Sequence, residues 1–165
     1  MFARTLKLAA VSALLGSLPI STTFAQNEST KGAFEDGVVR VKSAYPLDET
    51  ITRLKSDIAD KGIRFFLEVD QAKLAADAGV HARPSTLLIF GNPPLGTQFV
   101  AVKPQAGLDW PVRLLVQQDE QGNVWAVYTD FIWIARRHGI EEAEQQPFKT
   151  AAGVIASITS SINAK

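Results

Sequence analysis

The sequence predicts an α/β domain of the α+β kind, a single mixed sheet of about five strands with helices packed on it, near the usual mean strand number. Two observations carry that prediction. Five runs of strand length, residues 38–42, 63–69, 86–90, 112–118 and 124–129, either alternate in polarity or are mostly apolar. Between and after them apolar residues recur at helical spacing, with Pro or Asp at the start of a segment and Gly at its end. The order reads β-α-β-α-β-α-β-β-α-α.

The first strand places Val39 and Val41 on one face and Arg40 and Lys42 on the other, the pattern of a half-buried strand. Pro46 opens a helix whose first turn holds Asp48 and Glu49, where negative charge complements the helix dipole. Ile51, Leu54 and Ile58 form its apolar stripe, and Gly62 ends it. The next strand has a period of two: Ile63, Phe65, Leu67 and Val69 face one way, Arg64, Phe66 and Glu68 the other. Residues 71–78 are Ala-rich and precede Gly79, which predicts a short helix. Residues 86–90 are apolar without alternation and are expected as a central strand covered on both faces. Gly91-Asn92-Pro93-Pro94 then turns the chain into a helix that stops near Pro104. The runs 112–118 and 124–129 flank a turn containing Gly122-Asn123, the spacing of a β-hairpin. Asp130 caps a helix that carries Phe131, Ile134 and Ala135 and closes at Arg136-Arg137-His138 and Gly139. The last helix starts at Pro147, with Phe148, Ala151, Ile155, Ile158 and Ile162 as its stripe.

Three segments precede or make up the domain. Residues 1–25 have the layout of a secretory signal peptide: Arg4 and Lys7, an apolar run over 8–18, Pro19, and small Thr23 and Ala25 before a cleavage point after Ala25. A membrane span needs about 20 apolar residues, more than this run supplies. Residues 26–36 are polar and aperiodic, a disordered leader. Residues 37–165 make a single α/β domain. The expected location is the periplasm, with secretion into the medium as the alternative.

Composition narrows the chemistry. The chain has no cysteine, and its one methionine is Met1. Disulfides, thiolate nucleophiles and thiolate-held metal or haem centres are therefore excluded, and so are copper sites that need soft ligands. No metal or cofactor is expected. Loss of Arg4 and Lys7 leaves 15 basic against 17 acidic residues, a net charge of −2. Without a basic stripe or a polybasic segment, neither nucleic acid nor a membrane surface is expected as a partner.

Over residues 61–128 a set of motifs stands out: Lys61-Gly62, Asp70, Gly79, Arg83-Pro84, Leu88-Ile89-Phe90-Gly91-Asn92-Pro93, Gly96-Thr97, Leu108-Asp109-Trp110-Pro111, Gly122 and Tyr128. On these the sequence resembles the bacterial and archaeal family called domain of unknown function 302, with Thr50 and Leu54 fitting the family's first helix. The resemblance implies a compact α/β domain similar to one half of the TATA-binding-protein fold, often a homodimer, and no assigned reaction. Gln71 stands where the family often has histidine, and Trp110 replaces an aliphatic residue.

The candidate sites each have two readings. Asn92 at a helix start could bind a small anion or carboxylate with Arg113, or could be an ordinary cap followed by Pro93. Asp70 and His81 could orient a proton-transfer pair for a small hydrolase or isomerase, or serve as a helix cap and a surface residue. His138 beside Arg136 and Arg137 reads as helix termination. Trp110, Trp125 and Trp133 suit a ligand pocket, an interface or the core. Trp125 and Val127 share one hairpin face while Val124, Ala126 and Tyr128 share the other, which would fit a sheet covered by a partner subunit. The function expected is an uncharacterised exported binding or interaction domain without evident catalytic machinery, since no nucleophile accompanies Asp70 and His81.

Overall fold

Residues 36–164 are described by the structure, a computed structural model. The expected signal peptide and all but the last residue of the expected leader lie outside the described residues. Strands β1 (Val38–Lys42), β2 (Arg64–Asp70), β3 (Ser85–Gly91), β4 (Val112–Gln118) and β5 (Val124–Thr129) form one sheet in the order β1-β5-β4-β3-β2. Every neighbouring pair is antiparallel, which corrects the mixed sheet expected from the element order. The reason lies in α1 (Leu47–Asp60), which carries the chain from β1 at one edge of the sheet to β2 at the opposite edge. The β-α-β run through α1 joins strands that never pair, and the runs through α2 and α3 bring the chain back antiparallel to the strand it left.

Four more helices follow: α2 (Gln71–Asp77), α3 (Pro93–Val102), α4 (Phe131–Arg137) and α5 (Gln146–Ser160). Two are held at their starts as the sequence predicts. Asp70 accepts from the Lys73 N–H at 2.8 Å, and Asp130 from the Trp133 N–H at 2.7 Å. Leu54 and Ile58 of α1 and Phe148, Ile155 and Ile158 of α5 are buried with Leu88, Phe90, Leu114, Val116 and Ala126 of the sheet in one core. At its end Phe99 of α3 stacks on Phe148 with centroids 4.1 Å apart and tilts against Phe131 at 5.9 Å. Such aromatic contacts add about 0.5–1.5 kcal/mol beyond area burial.

Apart from Gly91, which Trp110 covers, the buried sheet residues belong to one face. On β3 they are Thr86, Leu88 and Phe90, while Leu87 and Ile89 between them stay partly exposed. The expectation that residues 86–90 are covered on both faces is therefore corrected. The absence of alternation arose because both faces of β3 are apolar, although only one is packed under helices. Across the open face the register aligns Val69, Leu87, Leu115, Val127 and Arg40 in a single row. A second row aligns Ser85, Gln117, Trp125 and Lys42.

Strand β2 also departs from its reading. Phe65 pairs with Phe90 and Leu67 with Ile89, so the register shifts between them and Phe66 is the extra residue of a bulge. Ile63 and Phe65 thus lie on the core side, but Leu67 and Val69 lie on the open face. Being an edge strand, β2 leaves Phe65, Phe66 and Leu67 at 36, 41 and 53% exposure.

Candidate functional site

Asp109 gathers cationic side chains from two directions. It ends a 3₁₀ helix, Pro104–Asp109, that follows α3, and it is buried with its carboxylate pointing at the end of α4. His138 Nε2 lies 2.7 Å from Asp109 Oδ2, and Arg137 donates to the same oxygen. Arg113 of β4 approaches Oδ1 at 3.4 Å and donates to the Leu108 carbonyl at 2.9 Å. The cavity beside Asp109, lined also by Arg113, Tyr128 and Thr129, measures about 20 Å³, room for a water rather than a substrate. The cluster therefore works as a clamp that ties the end of α4 to the 3₁₀ helix and β4. Sequence reading found His138 and Arg137 only as helix termination. Asp109 stood inside the Leu108-Asp109-Trp110-Pro111 motif, but nothing in the sequence linked it to residues 28 and 29 positions away.

Asp70 and His81 are not brought together. The Asp70 carboxylate is turned to the start of α2, where it accepts from Lys73. His81 is exposed and lines a shallow polar groove of about 670 Å³ with Arg83, Ser85, Gln117 and Glu120. The acid–base pair required by the hydrolase or isomerase reading is thus not assembled.

Asn92 stands at the N-cap of α3, but its side chain makes no capping hydrogen bond. Pro93 and Pro94 occupy the first helical positions and carry no N–H. The next two N–H groups, of Leu95 and Gly96, both donate to the Asn92 carbonyl at 3.1 and 2.8 Å. The helix start therefore offers no free early N–H to a side chain or an anion, and Arg113 is held at Asp109 instead. Asn92 is thus the N-cap residue and Pro93 the first helical residue, as the ordinary reading has it, but the cap lacks its side-chain bond.

Trp110 closes over glycines. A Cβ built on Gly96 would lie 1.8 Å from Trp110 Nε1, and one on Gly91 2.9 Å from the same atom. The ring also meets Phe66 edge-on at 6.3 Å. Trp110 is thus a packing residue that joins α3, β3 and the β2 bulge. Trp133 fills the space over Gly37 and lies 5.4 Å under Arg137.

On the open face Trp125 is anchored rather than free. Its Nε1–H donates to Asp119 at 2.8 Å, and Lys42 lies over its ring at 5.7 Å. The Trp125 hydrogen bond, with further donors from Asn123 and Gln121, holds the Asp119 carboxyl down at about 2 from its ordinary 3.8. Burial, then the nearby charge of Asp130, pushes the Tyr128 hydroxyl above its ordinary value.

The model of the family described as "Domain of unknown function DUF302" matches residues 39–158. The chain belongs to this family. A crystal structure of an uncharacterized conserved DUF302 protein from Bacillus stearothermophilus has the same fold, with a TM-score of 0.71 at 16% identity over 77% of this chain and 98% of the other. Two curated relatives are 38% identical over 106 residues, 64% of this chain. They are "Fluoride-specific ion channel FluC 1" of Brucella suis biovar 1 (strain 1330) and of Brucella abortus biovar 1 (strain 9-941), of which the match covers 42% and 39%. The chain thus spans about two fifths of the length of these curated relatives. Within the DUF302 domain two of the motif segments, Gly91 to Gly96 and Leu108 to Pro111, meet at Trp110.

Proposed function

We propose that the chain is an exported interaction domain that works as a homodimer rather than as an enzyme. One observation carries the reading. Of the seven large apolar side chains left exposed among the described residues, five, Phe65, Phe66, Leu67, Leu74 and Val80, fall on β2, α2 and the turn that follows, the other two being Val100 and Leu108. Concentrated exposed apolar surface marks association sites. The charges beside it are of both signs, Arg64 and Lys73 with Glu68, Asp70 and Asp77. A two-fold interface places the same patch on both partners, so it must be self-complementary, and a balanced apolar patch meets that requirement. Export rests on the signal-like residues 1–25, with the periplasm as destination.

Sedimentation of residues 26–165 tests the dimer. The mature chain is expected to run at twice its monomer mass. The double variant Leu67→Asp/Leu74→Asp should run as a monomer with unchanged circular dichroism. A wild-type chain that stays monomeric at its highest soluble concentration overturns the reading. Intact mass of the periplasmic species should begin at Gln26, and a species that keeps Met1 would sink the export proposal.

A second reading rests on length. In the Brucella relatives the shared segment is about two fifths of a chain named a fluoride-specific ion channel. Among the described residues no helix is long and apolar enough to cross a membrane. This domain would then work in association with such a channel. Coexpression of the tagged chain with a fluoride-specific channel, followed by purification in detergent, should recover both, and elution apart would end this reading.

A further inference from the structure

We infer that the groove between the α2–β3 loop and the β4–β5 hairpin binds a short neutral saccharide. One chain builds this site by itself, and it does not depend on the homodimer reading above. His81 to Pro84 form one wall, and Gln118 to Gln121 form the other. The floor is Ser85 and Gln117, cross-strand partners on β3 and β4. The walls are fixed before any ligand arrives. The Gln118 N–H donates to the Pro84 carbonyl at 3.0 Å, which ties one wall to the other. Asp119 accepts from the N–H groups of Gln121 and Asn123 and from the Trp125 indole, at 3.0, 2.8 and 2.8 Å, which sets the hairpin. At about 670 Å³ the space falls inside the roughly 300–1,000 Å³ of small-molecule sites, and a pre-formed site loses little affinity to ordering.

What the lining side chains have left over decides the ligand class. Charge is used up within the groove: Arg83 of one wall pairs with Glu120 of the other at 3.4 Å, and Asp119 is taken by the hairpin. No unpaired charge remains to select an ion. Apolar lining is confined to Ala82 and Pro84, too little to hold a hydrocarbon or the side chains of a peptide. The groups with hydrogen-bonding capacity to spare are amides, a hydroxyl and an imidazole. Gln117 is half-buried on the floor, and its amide has no partner among the described residues. The same holds for the His81 ring and the Gln121 amide on the two walls. Ser85 donates to Gln71 at 2.8 Å and keeps its lone pairs. An amide brings two donors and an acceptor, and a hydroxyl brings one donor and two lone pairs. Donors and acceptors are thus mixed across the floor and both walls. Neighbouring sugar hydroxyls, each donor and acceptor at once, match such a set. A ligand that bonds Gln117 satisfies a half-buried amide without displacing any contact of the protein.

A proton–nitrogen NMR titration of the mature chain tests this. The probes are maltose, cellobiose and N,N′-diacetylchitobiose, and the controls are glycine, sodium phosphate and trialanine. At least one disaccharide should saturably shift the amide signals of residues 81–85 and 117–121. Added salt should leave its Kd unchanged, because no charge pair forms with the ligand. Gln117→Ala should bind that sugar about tenfold more weakly, the scale of one hydrogen bond left unmade. Its spectrum away from the groove should match wild type, which separates a lost site from a lost fold. His81→Ala, on an exposed wall, gives a second reading and should also weaken binding. The monomer variant Leu67→Asp/Leu74→Asp should bind as wild type does, so the groove and the homodimer fail separately. No saturable shift with any of the three sugars overturns the inference. Tighter binding of phosphate or glycine at the same signals would assign the groove to ions and overturn it, and tighter binding of trialanine would assign it to peptides. Wild-type affinity in both Gln117→Ala and His81→Ala would place the sugar elsewhere. Loss of binding in the monomer variant would place the site between subunits and overturn a groove built by one chain.

Discussion

At the scale of single residues, the side chains that hold the fold are those whose neighbours come from distant parts of the chain. Trp110 fits because Gly91 and Gly96 leave room for its ring. Gly96→Ala is expected to cost about 1–3 kcal/mol, the range for overpacking a filled site. Because the clash is with the indole, the same change should cost far less in a Trp110→Leu background, which restores the aliphatic residue of the family pattern. Denaturant unfolding of the four proteins in a double-mutant cycle measures the coupling. Additive costs would show that Trp110 is not what limits position 96. Asp119 has a different signature. Its pKa is lowered to about 2 from 3.8, chiefly by the Trp125 indole N–H, so folding favours the ionised form. Its contribution is complete above 3.8 and is lost as pH falls through 2. The melting temperature of Asp119→Asn should therefore lie furthest below wild type above that upper value, and the gap should close towards the lower one. A gap that does not change over this window would refute the assignment. None of these contacts was legible in the sequence. Trp110 showed itself there only as a departure from a pattern, and Asp109 only as part of a motif, because each is satisfied by residues that fold back from elsewhere.

At the scale of elements, local chemistry was legible where it acts locally. Asp70 and Asp130 cap α2 and α4 as read, the alternation of Val39 and Val41 gave the buried side of β1, and the 119–123 turn closes the β4–β5 hairpin. The stripe of α5 buries Phe148, Ala151, Ile155 and Ile158 as its spacing requires. The reading failed where two devices leave the same trace. In β2 the bulged residue is Phe66, apolar like Phe65 and Leu67, so one extra residue slipped the phase without breaking the run. At α3 the residue type suggested a side-chain cap, but a cap bonds the N–H of the second or third helical residue. Pro94 has none, and that of Leu95 is taken by the Asn92 carbonyl. Asn92→Ala should then change stability by less than about 0.5 kcal/mol, as at an ordinary surface position. Chemical denaturation checks it, and a loss near the ~1 kcal/mol of a working cap would mean that the side chain bonds after all.

At the scale of the whole molecule, charge is sorted by face rather than spread. Residues 26–165 hold 15 basic and 17 acidic side chains. Arg40, Lys42, Arg64 and Arg113 lie on the open sheet face by register, which leaves eleven basic against the seventeen acidic elsewhere. Composition alone reported only the near-cancellation, a net −2, and argued against nucleic acid or a membrane surface as a partner. The antiparallel order made the difference, since it brought residues from three separate strands onto one face. A molecule with such separated charge orients itself at a charged surface, and its retention follows the patch instead of the net charge. The mature chain should therefore be held by a sulfonate cation exchanger at neutral pH and low salt despite its negative net charge. It should be released once ionic strength shortens the screening length to about 10 Å, near 0.1 M. Arg40→Glu/Lys42→Glu removes half the cations of the face and should pass straight through, while Lys61→Glu/Lys149→Glu, which makes the same change in net charge on the helical side, should still be retained. Equal loss of retention in both variants would show that net charge governs the behaviour, and the sorting by face would then have no consequence for binding.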